Sequence, residues 1–84
     1  MTQTEIKDVL KTFICTDLLR DPAYPLRDDE QMITDGLLDS YAVAYIAVFI
    51  ESRFGVLIPD DELTAERFDS LAQIAERVIR GLAT

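Results

Sequence analysis

The chain has 84 residues, enough for one domain spanning residues 1–84, and its 49% apolar content is too high for a disordered protein. Sixteen acidic residues against eight basic ones give a net charge of −8, so the chain lacks the basic surface that binds nucleic acid or an anionic membrane. With no histidine and a single cysteine, it cannot form Ser-His or Cys-His catalytic pairs, imidazole metal sites or an intramolecular disulfide.

The acidic surface allows two interpretations. It can simply keep a small domain soluble, or it can steer the protein toward a basic patch on another protein. The chain opens with polar residues, Thr2 to Glu5, and not with the basic and apolar segments of a secretion signal. We therefore expect a cytoplasmic monomer whose partners are proteins, with no nucleic acid and no membrane among them.

Residues 4–19 are predicted to form the first helix, capped by Thr2 or Thr4. Its buried face follows helical spacing and consists of Ile6, Val9, Leu10, Phe13 and Ile14. Cys15 lies in the same helix. We expect it to be a small core residue and not a reactive thiol, because free cysteine is among the most buried residue types.

A long connection, residues 20–39, follows and is broken by Pro22 and Pro25. A loop of this length is uncommon in so small a domain and is often functional. Gly36 can supply a positive φ angle just before the next helix. The apolar residues expected to pin the loop to the core are Met32, Ile33, Leu37 and Leu38.

The second helix is predicted over residues 40–54, capped by Asp39 or Ser40 and ended by Gly55. Its ten residues from Tyr41 to Ile50 are all apolar, but a helix needs about 20 to span a bilayer. If one face of this helix packs inward, a second apolar face is left toward solvent, which suggests a partner surface. The inward residues would be Ile46, Ala47, Ile50 and Phe54, and the outward ones Ala44, Tyr45 and Val48, with Tyr41 near the helix start.

The third part of the chain begins with an extended apolar crossing, residues 56–59, and a short helix that starts at Asp60-Asp61-Glu62 and ends near Phe68. The acidic triplet lacks the ligand spacing of a calcium loop, so no metal site is predicted there.

The last helix is marked by a capping box, Ser70 with Gln73, with Asp69 as an alternative cap and Gly81 as its end. The predicted fold is all-α, with three main helices, one short helix and a long loop between the first and second helices.

The most informative segment is Asp35-Gly36-Leu37-Leu38-Asp39-Ser40, which leads into the apolar helix ending in Phe54-Gly55. Ile58-Pro59-Asp60 and Phe68-Asp69-Ser70-Leu71 follow in order. This arrangement resembles the acyl carrier protein family over most of the chain, and the run from Leu37 to Ser40 is also similar to the D-alanyl carrier branch. The resemblance implies a four-helix acyl-carrier-like bundle.

The resemblance also implies a site. In that family an Asp-Ser pair begins the second helix, and the matching residues are Asp39 and Ser40, with Leu38 and Tyr41 beside them. The serine would receive 4′-phosphopantetheine from coenzyme A through a phosphopantetheinyl transferase. Acyl or aminoacyl groups would then be loaded and transferred as thioesters by partner enzymes. The chain itself would be no enzyme and would hold no catalytic residue. The alternative is that Ser40 only caps the helix.

One difference from the family concerns the outer face of the second helix, where relatives typically carry several acids. Here the first acid is Glu51. We therefore predict a dedicated partner that contacts an apolar and aromatic surface, formed by Tyr41, Ala44, Tyr45, Val48 and Glu51. The alternative is that Tyr41 and Tyr45 fold back onto the loop and bury their rings.

Three functions remain open at this point. The chain could be a carrier for a specialised biosynthetic pathway, the housekeeping carrier of fatty-acid synthesis, or a helical interaction module that is never modified. The acid-poor second helix argues against the housekeeping carrier. The cargo cannot be deduced: Val43, Ile46, Leu57 and Ile74 could shelter an acyl chain, or could serve only to hold the bundle together.

Overall fold

The computed structural model describes residues 1–83, and these residues form three helices around one core: α1 (Gln3–Phe13), α2 (Ala42–Phe54) and α3 (Leu71–Leu82). A π-helical turn, Ile14–Leu18, continues α1, and a 3-10 turn, Asp60–Glu62, lies between α2 and α3. Residues 1–83 contain no strand. The prediction of an all-α, acyl-carrier-like bundle with a long loop after the first helix is therefore confirmed. Thr84, the last residue of the expected domain, lies outside the described residues.

Two of the three helices begin with capping boxes. The sequence predicts the box at Ser70, whereas at the first helix it predicts only a cap by Thr2 or Thr4. At α1, the Thr2 hydroxyl accepts the Glu5 amide at 3.1 Å and the Glu5 carboxylate accepts the Thr2 amide at 2.9 Å. At α3, the Ser70 hydroxyl accepts the Gln73 amide at 3.2 Å and the Gln73 side-chain oxygen accepts the Ser70 amide at 3.0 Å. Each box satisfies two amides that a helix start leaves without partners.

The end of the first helix differs from the prediction. The α-helical pattern stops at Phe13, and the chain continues in a wider turn in which the Leu19 amide donates to the Ile14 carbonyl at 2.9 Å. Ile14 and Cys15, the first two residues of this turn, are both buried in the core. The predicted burial of Cys15 is thereby confirmed, and burial raises the pKa of its thiol.

The segment between α2 and α3 corrects two further predictions. The short helix is one 3-10 turn, because Pro59 and the bend at Leu63 bound it, and the Arg77 guanidinium holds Glu62 at 2.7 Å. Leu57, expected in the core, is 71% exposed because neighbouring positions of an extended segment face opposite sides; Val56 and Ile58 are buried instead.

The role predicted for Gly81 was wrong. Helix α3 continues through it to Leu82, and the reason for glycine is space: an added Cβ would clash with both γ-methyl groups of Val56. Gly55, in contrast, ends α2 in the left-handed conformation as predicted, with φ +71°.

The core is one cluster to which all three helices and the loop contribute. The loop enters it through Met32 and Leu38, both buried, while Ile33 and Leu37 pack partly buried against it, as predicted. No helix formed by residues 1–83 is long and apolar enough to cross a bilayer. The fully buried large side chains are Ile6, Leu10, Ile14, Met32, Ile46, Ile50, Phe68, Leu71, Ile74 and Val78.

Candidate functional site

Ser40 lies in the turn that leads into α2, where its side chain is exposed. The Ala42 amide donates to the Asp39 carbonyl at 3.1 Å and the Val43 amide to the Ser40 carbonyl at 3.4 Å, so the turn is tightly wound before the helix begins. The Ser40 hydroxyl forms no hydrogen bond with any residue in the described range 1–83. It therefore does not cap α2, and the alternative that Ser40 is only a capping residue is wrong.

Asp39 supplies the side-chain contact of this turn. One of its carboxylate oxygens accepts the Tyr41 amide at 2.9 Å, and the side chain is exposed. Asp39 does not cap α2, because the helix begins at Ala42 with Tyr41 at its N-cap position and without a side-chain cap; the predicted cap by Asp39 or Ser40 is wrong. The Asp39-Ser40 pair presents a carboxylate and a free hydroxyl side by side at the start of an apolar helix.

The loop end that precedes Ser40 is anchored on its buried side. Leu38 is buried, and its amide donates to the Met32 carbonyl at 2.7 Å. Gly36 has φ +84°, as predicted, and its amide donates to the Ile33 carbonyl at 3.0 Å. These contacts fix the direction in which Asp39 and Ser40 leave the core.

Asp69 holds the same loop from the opposite end of the chain. It is 5% exposed, and its carboxylate accepts the Ile33 amide at 2.8 Å, the Thr34 amide at 2.9 Å and the Thr34 hydroxyl at 2.6 Å. Its carbonyl accepts the Met32 amide at 2.7 Å. Asp69 is therefore the anchor of the site loop and does not cap α3, because Ser70 does. The sequence shows no signal for this contact, since the partners are separated by more than thirty residues.

The electrostatics of Asp69 favour its ionised form. Burial raises the pKa of its carboxyl group, but the hydrogen bonds from the Thr34 hydroxyl and from the Thr34 and Ile33 amides outweigh burial and leave the pKa below its ordinary value. The loop is thus anchored by a carboxylate with three donors, the stronger class of hydrogen bond.

The outer face of α2 carries the predicted surface residues. Tyr41 is 76% exposed, Tyr45 62% and Val48 67%, and Ala44 and Glu51 are also exposed. Their spacing of three or four residues places them along one side of the helix. The alternative in which the two tyrosine rings are buried against the loop is wrong. Whether this surface binds a partner stays a prediction.

A groove of about 900 Å³ runs between the end of the first helix and α2, beside this surface. Its floor includes Phe13 and Phe49, whose rings stack with centroids 4.1 Å apart and planes within 10°. Sequence periodicity placed Phe13 on the buried face but gave no reason to expect an open groove over it. The residues that line it are Phe13, Asp17, Leu18, Arg20, Leu37, Leu38, Asp39, Ala42, Tyr45, Val48, Phe49 and Ser52.

Arg20 stands at the rim of the groove in an unusual backbone conformation. Its φ is +55°, the only positive φ of a non-glycine residue in the described part of the chain. It follows the π-helical turn, and the Asp21 amide donates across it to the Cys15 carbonyl at 2.8 Å, which is a helix-ending arrangement that favours glycine. The guanidinium has no hydrogen bond or ion pair with any residue among 1–83.

Comparison with known proteins adds one likeness. The chain is 27% identical over 74 residues to a D-alanyl carrier protein of Bacillus velezensis, and the match covers 88% of each chain. No protein-family model matches the chain. The likeness supports a carrier-protein family and agrees with the helical fold.

Proposed function

We propose that this protein is a carrier that holds acyl or aminoacyl groups as thioesters on a 4′-phosphopantetheine arm attached to Ser40. The observation that carries the proposal is the exposed Ser40 hydroxyl, without a hydrogen-bond partner in residues 1–83, next to the Asp39 carboxylate and at the start of an apolar helix. The likeness to a D-alanyl carrier protein supports the same function and favours an aminoacyl cargo.

The residues around Ser40 fit the arm. Attachment requires a hydroxyl that a second enzyme can reach, and Ser40 is exposed at a turn and not inside a helix. The linkage carries a negative charge, which the positive end of the α2 dipole would stabilise. Asp39 keeps one carboxylate oxygen free of the Tyr41 amide. That oxygen can help the transferase position its magnesium ion.

The attachment step needs no catalytic group from this chain. Ser40 Oγ attacks the pantetheine-side phosphorus of coenzyme A, the new P–O bond forms, and the bond to the departing adenosine 3′,5′-bisphosphate breaks. The transferase removes the proton of the hydroxyl. The arm then supplies a thiol for thioester formation. The chain is accordingly proposed to be a substrate of its partner enzymes and no enzyme itself.

Intact-mass measurement tests the proposal. The chain is incubated with coenzyme A, magnesium and a broad-specificity transferase, and we expect a gain equal to one phosphopantetheine group. Ser40→Ala should abolish the gain. Ser52→Ala, which removes an exposed serine of α2, should leave it intact. No gain in the wild type, or a gain that survives Ser40→Ala, would identify an unmodified helical interaction module instead.

We also propose that Tyr41, Ala44, Tyr45, Val48 and Glu51 form the surface that contacts the loading and transfer enzymes. Tyrosine is enriched among the residues that contribute most to binding at protein interfaces, and Tyr41 and Tyr45 are both exposed on this surface. The net charge of −8 would steer the encounter with a basic partner.

A Tyr45→Ala substitution tests this surface through the rate of acyl transfer from each candidate loading enzyme. Leu57→Ala is the matched control, because Leu57 is an exposed apolar residue outside α2. We expect Tyr45→Ala to lower the rate and Leu57→Ala to leave it unchanged. Equal rates for wild type and Tyr45→Ala with every partner would refute the docking surface.

The specialised carrier is preferred over the housekeeping carrier of fatty-acid synthesis for one structural reason. Before Glu51, the first acid of α2, the exposed residues of the helix are Ala44, Tyr45 and Val48. A partner that relies on a row of acids along this helix would find none there. A transfer assay with a fatty-acid synthesis ketosynthase and a D-alanyl-loading enzyme distinguishes the two.

A further inference from the structure

We propose that the groove between the first helix and α2 receives the arm attached to Ser40, and that the Arg20 guanidinium pairs with the phosphate of the arm. The inference rests on the proposed function, since it requires the arm to be present. It assigns a second anchoring point to the arm, in the segment that follows the first helix and not in the turn that carries Ser40.

The lining of the groove brings Arg20 close to the attachment site. Arg20 and Asp39 line the same groove, and the stacked rings of Phe13 and Phe49 line it as well. Arg20 therefore shares this groove with the residue that directly precedes Ser40.

Charge complementarity selects the phosphate as the partner of Arg20. An arginine fork matches phosphate oxygens with two parallel hydrogen bonds, and this guanidinium has no partner among residues 1–83. Among the described residues that line the groove, Arg20 is the basic one, and the other charged residues there are Asp17 and Asp39. The phosphate would lie between Arg20 and the N-terminus of α2.

The backbone at Arg20 gives a second reason. Arg20 adopts the left-handed conformation, with φ +55°, at an energetic cost to any residue that carries a side chain, and glycine would fill this helix-ending position without that cost. The sequence thus keeps an arginine where glycine would give a more stable fold. A role for the guanidinium in binding explains this cost.

The groove offers the rest of the arm an apolar floor of Phe13, Leu18 and Phe49 and an exposed wall of Tyr45 and Val48. Because the arm is tethered to the protein, its effective concentration at the groove is on the order of millimolar, so even weak contacts would populate the bound form. The interior of the bundle is less suited, since Val43, Ile46 and Ile74 are buried and packed in the core.

Paramagnetic labelling tests the inference. Coenzyme A whose thiol already carries a nitroxide is transferred to Ser40 of isotope-labelled protein, and mass measurement confirms loading. We expect the amide signals of residues 13–20 and 45–49 to broaden, and reduction of the nitroxide to restore them. In Arg20→Gln this broadening should be lost. Arg80→Gln, which removes the same charge from the exposed face of α3, should retain it.

The outcomes separate the two proposals. Loading with broadening confined to residues 38–43, or directed toward α3, would overturn the inference and leave the carrier function standing. The inference would also be overturned if the amide signals of the groove residues changed on addition of a partner enzyme but not on attachment of the arm, because the groove would then be a protein docking site. Failure to load would overturn the carrier function and the inference with it.

Discussion

Replacing Asp69 with alanine removes the anchor of the loop that presents Ser40. Its carboxylate accepts three hydrogen bonds, two of them from the partly buried amides of Ile33 and Thr34. A buried donor left without a partner costs roughly 1–3 kcal/mol, and Thr34 is exposed enough for water to replace part of its loss. We expect Asp69→Ala to lower the free energy of unfolding by about 3 kcal/mol. That loss is a large share of the free energy of unfolding, roughly 4–12 kcal/mol, that is typical of a chain of this length.

Asp69→Asn is the matched control for this prediction. It keeps a carbonyl oxygen for the two amides and loses only the charge and part of the bond to the Thr34 hydroxyl. We expect a loss of about 1 kcal/mol. Urea denaturation followed by far-UV circular dichroism measures both variants. Hydrogen exchange at Ile33 and Thr34 should accelerate strongly in Asp69→Ala and only slightly in Asp69→Asn, and transfer of the arm to Ser40 should slow in the same order.

The acid dependence of stability gives an independent measurement. The pKa of Asp69 is lowered in the folded protein, so its contribution is fully present above the unfolded value of about 3.9 and is lost as the pH falls through the lower folded value. Glu5, bonded by the Thr2 amide, and Glu62, bonded by Arg77, also have lowered pKa values and share the acid loss. The difference between wild type and Asp69→Asn isolates the Asp69 share, which should shrink below pH 4.

Two results would refute this account of the loop anchor. One is a loss below about 1 kcal/mol in Asp69→Ala, since that is no more than an ordinary surface hydrogen bond contributes. The other is unchanged exchange at Ile33 and Thr34, since their amides would then be protected by something other than Asp69.

Three further changes test other parts of the structure. Arg20→Gly should raise the free energy of unfolding by about 1 kcal/mol, because glycine adopts positive φ without strain. Arg20→Gln should leave the free energy of unfolding unchanged. A denaturation midpoint for Arg20→Gly at or below that of the wild type would contradict this prediction. Gly81→Ala should cost about 1–3 kcal/mol despite its better helix propensity, because the new methyl meets Val56. Combining it with Val56→Ala should cost less than the sum of the two single changes, and strict additivity would show that the two side chains do not touch. Cys15 should resist thiol reagents in the native protein at neutral pH, because the residue is buried and burial raises the pKa of its thiol. It should react once the protein is unfolded. Rapid reaction of the native protein would contradict the position of Cys15 in the core.

The helices could be predicted because their signals are local. The apolar face of the first helix recurs at helical spacing, and capping residues such as Thr2 and Ser70 lie within three residues of their partners. The predicted ends of the helices are less accurate where tertiary packing determines where a helix begins or ends. The π-helical turn after Phe13 is one such boundary, because the apolar spacing of the first helix does not distinguish it from a continued α-helix.

The candidate site also contains residues that the sequence predicts and residues that it does not. Ser40, Asp39 and Gly36 follow from a contiguous motif, and the exposed tyrosines follow from the excess of apolar residues in α2. Asp69 could not be predicted as the loop anchor, because its partners are distant in sequence and its position before Ser70 suggested a cap. The rim position of Arg20 depends on how the first helix packs on α2, which no single segment encodes.

The anchoring of the loop by a later part of the chain has a consequence for biosynthesis. Ser40 leaves the ribosome well before Asp69 and Ala72, whose groups bind Met32, Ile33, Thr34 and Asp28. A nascent chain that has just exposed Ser40 therefore has no acceptor for the loop amides and no formed site. Under the proposed function, we expect an arm to be attached to Ser40 only after residues 69–72 have emerged.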